Sequence, residues 1–117
     1  MHIEAIREIC KKLPGVTEDI KWGNDLCFLV CNKMFCVAGL DTPTKISVKV
    51  KDDEFAELSN SVGIIPAPYV AKHKWILVED VTVFNKKEWS HYINQSYNLV
   101  TGKLSKKKQA ELGLKIN

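Results

Sequence analysis

No hydrophobic run in the chain approaches the ~20 consecutive apolar residues that a membrane-crossing helix needs, so no such helix is expected. The opening residues Met1-His2-Ile3-Glu4-Ala5 lack a basic segment followed by an apolar core. No secretory signal is therefore expected, and the expected location is the cytoplasm. There the four cysteines, Cys10, Cys27, Cys31 and Cys36, are expected as reduced thiols. The sequence contains no G-x-S-x-G, Walker loop, G-x-G-x-x-G or H-E-x-x-H. Its three histidines, His2, His73 and His91, fall in different segments, and none sits in a motif that pairs a nucleophile with a base. No catalytic residue, cofactor or metal ligand is nominated, and the chain is expected not to be an enzyme.

A basic body is also lacking. Residues 1–101 hold 12 Lys/Arg against 13 Asp/Glu. Residues 102–117 hold Lys103, Lys106, Lys107, Lys108 and Lys115 against Glu111, so the net charge of +3 originates in the tail. A dedicated phosphate-binding domain usually concentrates basic charge on one face; here any such face must be assembled from separated lysines.

What is present is one domain of 117 residues, 45% apolar and 26% charged, an ordinary globular balance. Residues 102–117 form its basic C-terminal tail. Ile3, Ile6, Ile9/Cys10 and Leu13 recur at helical spacing and predict an amphipathic helix over 2–13, stopped by Pro14-Gly15. Thr17–Trp22 alternates and predicts a half-buried strand turning at Gly23-Asn24-Asp25. Leu26–Val30 and Met34–Leu40 predict a hairpin closed by Asn32-Lys33. That turn puts Leu26, Phe28, Val30, Phe35 and Val37 on one sheet surface, facing the helices. Cys27, Leu29, Cys31, Met34, Cys36 and Ala38 then occupy the other, an apolar face to be covered by a loop such as 63–75 or by a second subunit. Thr44–Val50 alternates again, with Ile46, Val48 and Val50 on one side and Lys45, Ser47 and Lys49 on the wet one. Asp52 or Asp53 is expected to cap a short helix with Phe55 and Leu58 inward. Trp75–Val78 reads as a buried strand. Asn85 and Glu88 read as a capping box for a helix burying Trp89, Tyr92/Ile93, Ser96/Tyr97 and Leu99/Val100. Ser105–Leu112 is expected to be a last basic helical turn or a frayed end. The order α-β-β-β-β-α-β-α gives an α+β, two-layer sandwich: an antiparallel sheet of about five strands with helices on one face.

The segment Gly63-Ile64-Ile65-Pro66-Ala67-Pro68-Tyr69-Val70-Ala71-Lys72-His73-Lys74-Trp75 stands apart. Its two prolines bar a helix, yet it is too apolar for a free loop. It is therefore expected to lie across the body and carry its cations to a rim. Lysines beside an aromatic can contact phosphate and stack on a base; alternatively Trp75 is core, His73 satisfies a backbone group and the lysines are solvated. Lys103-Leu104-Ser105-Lys106-Lys107-Lys108 is a charge run, either a solvated end or an electrostatic arm. Cys27 and Cys31, four residues apart on one strand, are ~13 Å apart and cannot share a zinc ion; they read as small apolar fillers. The acidic pairs Glu18-Asp19 and Asp52-Asp53 read as solvated charge.

Leu13-Pro14-Gly15-Val16-Thr17-Glu18-Asp19, Lys21-Trp22-Gly23, Lys33-Met34-Phe35, Gly63-Ile64-Ile65-Pro66-Ala67, Lys74-Trp75 and Ser96-Tyr97-Asn98-Leu99-Val100 together resemble the MmcQ/YjbR-like family of small bacterial proteins. The resemblance implies a fold similar to CyaY and the type III secretion chaperones. It also implies DNA binding through a double-wing arrangement of hairpins. Its candidate contacts are Lys33 at the hairpin tip and Lys72, His73 and Lys74 after the prolines, joined by the tail lysines Lys103, Lys106, Lys107 and Lys108. Family members often end the post-proline stretch in His-Trp, whereas this chain has Lys74-Trp75 with His73 one place earlier. A rival expectation is a protein-interaction, homodimerising or small-ligand module that uses the second apolar sheet face.

Overall fold

Alternating and helical periodicities resolve, in a computed structural model describing residues 3–114, into four helices and six strands. His2 and Lys115 lie outside the described residues. Helix α1 (Ile3–Lys11) precedes β1 (Val16–Lys21), β2 (Asp25–Val30), β3 (Lys33–Gly39) and β4 (Ile46–Lys49). Then come α2 (Asp52–Ser59), β5 (Ile64–Pro66), a 3₁₀ turn at Ala71–His73, β6 (Trp75–Val78), a second 3₁₀ turn at Val81–Val83, α3 (Lys86–Thr101) and α4 (Lys106–Glu111). The strands form one antiparallel sheet in the order β1-β2-β3-β4-β6-β5. The expected two-layer α+β sandwich is observed, with one strand more than the five expected. No described helix is long and apolar enough to cross a membrane.

The additional strand is the front of the proline segment. Ile64 pairs with Val78 and Pro66 with Ile76 at the sheet edge, where a residue without an N–H costs no ladder bond on its solvent side. Gly63 enters it at φ 83°, and a Cβ there would come within 2.8 Å of Val83 Cγ2, so glycine is needed for conformation and for space.

The hairpin corrects a second expectation. The turn is Cys31-Asn32, with φ 49° and 62°, not Asn32-Lys33. Val30 faces Lys33 and Leu29 faces Met34; a bulge follows, and Phe28 faces Cys36. One extra residue in β3 reverses the facing of everything after it. Cys36 and Ala38 therefore join Leu26, Phe28, Val30 and Phe35 in the helix-side core, while Val37 moves to the opposite face with Cys27 and Met34. The thiol-rich outer face thus loses Cys36, whose pKa the neighbouring Cys10 thiol and burial raise well above the ordinary value.

The core between sheet and helices centres on Phe28, Phe35, Trp89, Ile93 and Tyr97, all essentially inaccessible. Polar pins cross it. The Ser96 hydroxyl donates to the Phe35 carbonyl (2.5 Å) and accepts from the Lys49 N–H (3.0 Å). Tyr97 donates to the Pro14 carbonyl (2.6 Å) and Trp89 Nε1 to the Val81 carbonyl (2.7 Å). The capping box of α3 forms as expected, from Asn85 and Glu88. Helix α2 instead starts from Lys51, whose N–H donates to Glu54; Asp52 and Asp53 sit in its first turn rather than capping it, because β4 leads into the helix through extended Lys51. In β1, Ile20 is 52% exposed, and Trp22 just beyond the strand is 70% exposed, so that half-buried strand is wetter than its alternation suggests. Within the described part of the tail, Lys106–Glu111 form α4, capped by Ser105 and tied back by Gln109 Nε2 donating to the Thr101 carbonyl (2.9 Å).

Candidate functional site: a lysine-lined sheet end and an apolar groove

Antiparallel pairing brings separated lysines to one end of the sheet. Lys33 opens β3 directly after the β2–β3 turn, Lys49 ends β4, and Lys74 precedes β6, where Trp75 faces Lys49. Lys51 starts α2, and Lys72 and His73 lie in the adjoining 3₁₀ turn. Helix α4 ends there too: a Cβ on Gly15, one residue before β1, would collide with the Leu112 side chain, and Gly15 also neighbours Val30 at the same hairpin. Lys106, Lys107 and Lys108 are exposed on that helix, and Lys33, Lys72, His73 and Lys103 are exposed as well.

Local structure fixes the middle of this array. Lys74 adopts left-handed backbone (φ 65°), its carbonyl accepts from the Val50 N–H (2.9 Å), and its ammonium sits 5.2 Å from the Phe55 ring centroid, a cation–π contact. The Lys49 ammonium donates to the His73 carbonyl. Partial burial lowers the Lys49 pKa; Lys103 and Lys74 add repulsion, while Asp52 opposes the shift. Sequence reasoning missed Lys49, because its strand alternation matched a solvated face, and it did not place Lys51; the pairing of β4 with β6 reveals their neighbours.

Beside this end, α3 presents Asn94, Gln95 and Asn98 to a shallow notch of about 540 Å³ that Lys51 also lines. Gln95 is 8% exposed, and its Oε1 has no hydrogen-bond partner among the described residues.

The second feature is on the sheet face away from the helices. Residues after β5 turn back over that face, as the apolar proline segment was expected to do, and bury Ala67 and Trp75. The remaining groove, about 630 Å³, runs between Trp22 and Tyr69 over Met34, Val37, Trp75 and Leu77. Its lining also contains Asp25 and Ser47. Trp22 and Tyr69 are 70% and 99% exposed, and both hold positive φ (52° and 70°), which is uncommon for large side chains. Trp75 is buried, as expected for a core residue, but under this loop rather than under the helices. Asp25 and Trp22 were read from the sequence as turn and strand residues only; nothing in their spacing marks a groove.

Among the described residues no three His, Cys, Asp or Glu side chains group to hold a metal ion. Cys27 and Cys36 lie on opposite sides of the sheet.

No curated protein matches the chain. Among solved structures it is similar to a Deinococcus radiodurans protein with a DUF419 domain, at TM-score 0.84 and 26% identity, covering 94% of this chain and 86% of the other. It shares its fold with a Pseudomonas syringae protein at TM-score 0.70 and 21% identity, covering 85% and 98%. A family model described as YjbR matches residues 11–99, which include β1 to β6 and nearly all of α3. The chain belongs to the YjbR family.

Proposed function

We propose that this YjbR-family protein is a non-enzymatic, cytoplasmic DNA-binding protein that holds the phosphate backbone along the lysine-lined end of its sheet. The observation that supports the reading is the gathering of Lys33, Lys49, Lys51, Lys72, Lys74 and Lys103 from separate segments at one end of a body whose residues 1–101 hold 12 Lys/Arg against 13 Asp/Glu in all. Lys49 and Lys74 are held by carbonyl and aromatic contacts, so part of the array is positioned before any phosphate arrives. Lys106, Lys107 and Lys108 extend it over α4. Such an array contacts phosphate and carries little base readout.

Affinity for single- and double-stranded oligonucleotides, measured by fluorescence anisotropy against salt, tests this. Binding falls steeply with salt, with a log–log slope of about −0.9 per phosphate neutralised on duplex DNA. Neutralising Lys33, Lys72 and Lys103 together to Gln, all exposed and outside the packing contacts, flattens the slope by roughly one per lysine. Absence of binding to either form at low salt, or an unchanged slope in the triple variant, contradicts the assignment.

A further inference from the structure

The groove opposite the helices has a chemistry different from the lysine-lined end, and its reading does not rest on DNA binding. Its floor and walls are Met34, Val37, Leu77 and the rings of Trp22, Tyr69 and Trp75. One carboxylate lines it, that of Asp25, and no Lys, Arg or His is in its lining. Among the described residues that carboxylate accepts no hydrogen bond and forms no ion pair within 4.0 Å. Lys21 stands opposite it in the β1–β2 ladder without pairing to it, and Asp19 lies two residues back along β1. Beside it Cys27 has its thiol pKa raised, by burial first, with Asp25 and Asp19 adding to the shift and Lys21 opposing it, and Lys45 and Asp41 line the adjoining cavity that Asp25 also borders.

Aromatic faces attract cations through their quadrupole, and quaternary ammonium ligands are recognised by aromatic cages on this basis. Small-ligand sites commonly occupy about 300–1,000 Å³ and are mainly apolar, with few polar groups to orient the ligand. At about 630 Å³, with aromatic walls and one carboxylate, this groove fits that description for a positively charged ligand. We propose that the groove binds a small organic cation: an apolar body seated on Met34, Val37 and Leu77, with its ammonium between the Trp22 and Tyr69 rings and facing Asp25. The ligand is a free small molecule; a second copy of this chain and a peptide are competing occupants that the experiment separates.

The test titrates the full ¹⁵N-labelled chain with three probes sharing a phenyl body: phenethyltrimethylammonium, neutral 3-phenylpropan-1-ol and anionic 3-phenylpropionate. The indole N–H resonances of Trp22 and Trp75 report on the groove, and that of Trp89, in the helix-side core, serves as the internal reference. The cation is expected to shift Trp22 and Trp75 and to bind several-fold more tightly than the alcohol, with the anion weakest. Asp25→Asn brings the cation down to the level of the alcohol, and Trp22→Ala weakens all three. The proposal is overturned if the anion binds as tightly as the cation, if neither groove indole responds up to millimolar probe, or if the cation preference survives in Asp25→Asn. It is equally overturned if sedimentation shows a dimer that Met34→Lys dissociates, or if a lysine-containing peptide binds the groove much more tightly than the ammonium probe.

Discussion

Both faces of the sheet are apolar, but only one is finished. On the helix side Phe28, Phe35, Trp89 and Tyr97 are essentially inaccessible, and Ser96, Tyr97 and Trp89 make hydrogen bonds to the backbone across that layer. On the other side the 67–70 turn buries Ala67 and Trp75 yet leaves Trp22 and Tyr69 in solvent around a groove. The first arrangement is what stability requires, since packed cores leave few voids. The second leaves large rings in water and holds them in uncommon backbone conformations, which contributes little to folding and is suited to a partner. The lysine-lined end lies where both layers terminate.

The comparison is broken most directly by matched truncations. Trp89→Ala on the covered face is expected to cost about 3–5 kcal/mol, and a domain of this size then loses roughly 12 °C or more of melting temperature. Trp22→Ala on the open face is expected to cost less than about 1 kcal/mol. Thermal or urea unfolding of the two variants checks the contrast; equal losses mean that the open face is structural.

Ser96→Ala probes how the covered face is pinned. It leaves the Phe35 carbonyl and the Lys49 N–H without their shared hydroxyl, at a cost of about 1–3 kcal/mol. Urea unfolding measures this, and a loss below a few tenths of a kcal/mol means that water replaces the hydroxyl.

Much of the covered side was legible in the sequence. Helical spacing located α1 and α3, Asn85 and Glu88 marked the start of α3, and alternation in β4 assigned Ile46 and Val48 inward. The hairpin was misread because one β-bulge exchanges the faces of Val37 and Cys36, and local composition carries no signal for an inserted residue when both faces are apolar. The proline segment was recognised as lying on the body, but its pairing as β5 depends on an edge that only the sheet order reveals. For the candidate site, Lys72 and Lys74 were legible as a local cluster, and Lys33 only through the family resemblance. Their proximity to Lys49 and Lys103 is long-range pairing information that no window of sequence contains.

Smaller effects belong to the first strand. Arg7 Nε and Nη2 meet Glu18 at 2.8 and 2.9 Å, with Lys11 at 3.3 Å. The hydrogen-bonded Arg7 guanidinium, aided by Lys11, lowers the Glu18 pKa against the effect of burial. Its folded value lies below the unfolded one of about 4.3, so the cluster stabilises the fold above that pH and its contribution disappears as pH falls through the folded value. Glu18→Gln is expected to lower stability at pH 7 and to flatten its decline as the pH falls below about 5. Urea midpoints across that range measure the difference, and parallel curves for the two proteins contradict the role.

The central claim concerns where DNA meets the protein. The most direct measurement is a backbone amide chemical-shift titration of the full chain with a short oligonucleotide. The largest shifts are expected at Asn32-Lys33, Lys49–Asp52, Ala71–Trp75 and Lys103–Lys108, with Trp22–Asp25 and Gly39–Asp41 at the far end unmoved. Shifts concentrated at that far end, or none at low salt, contradict it.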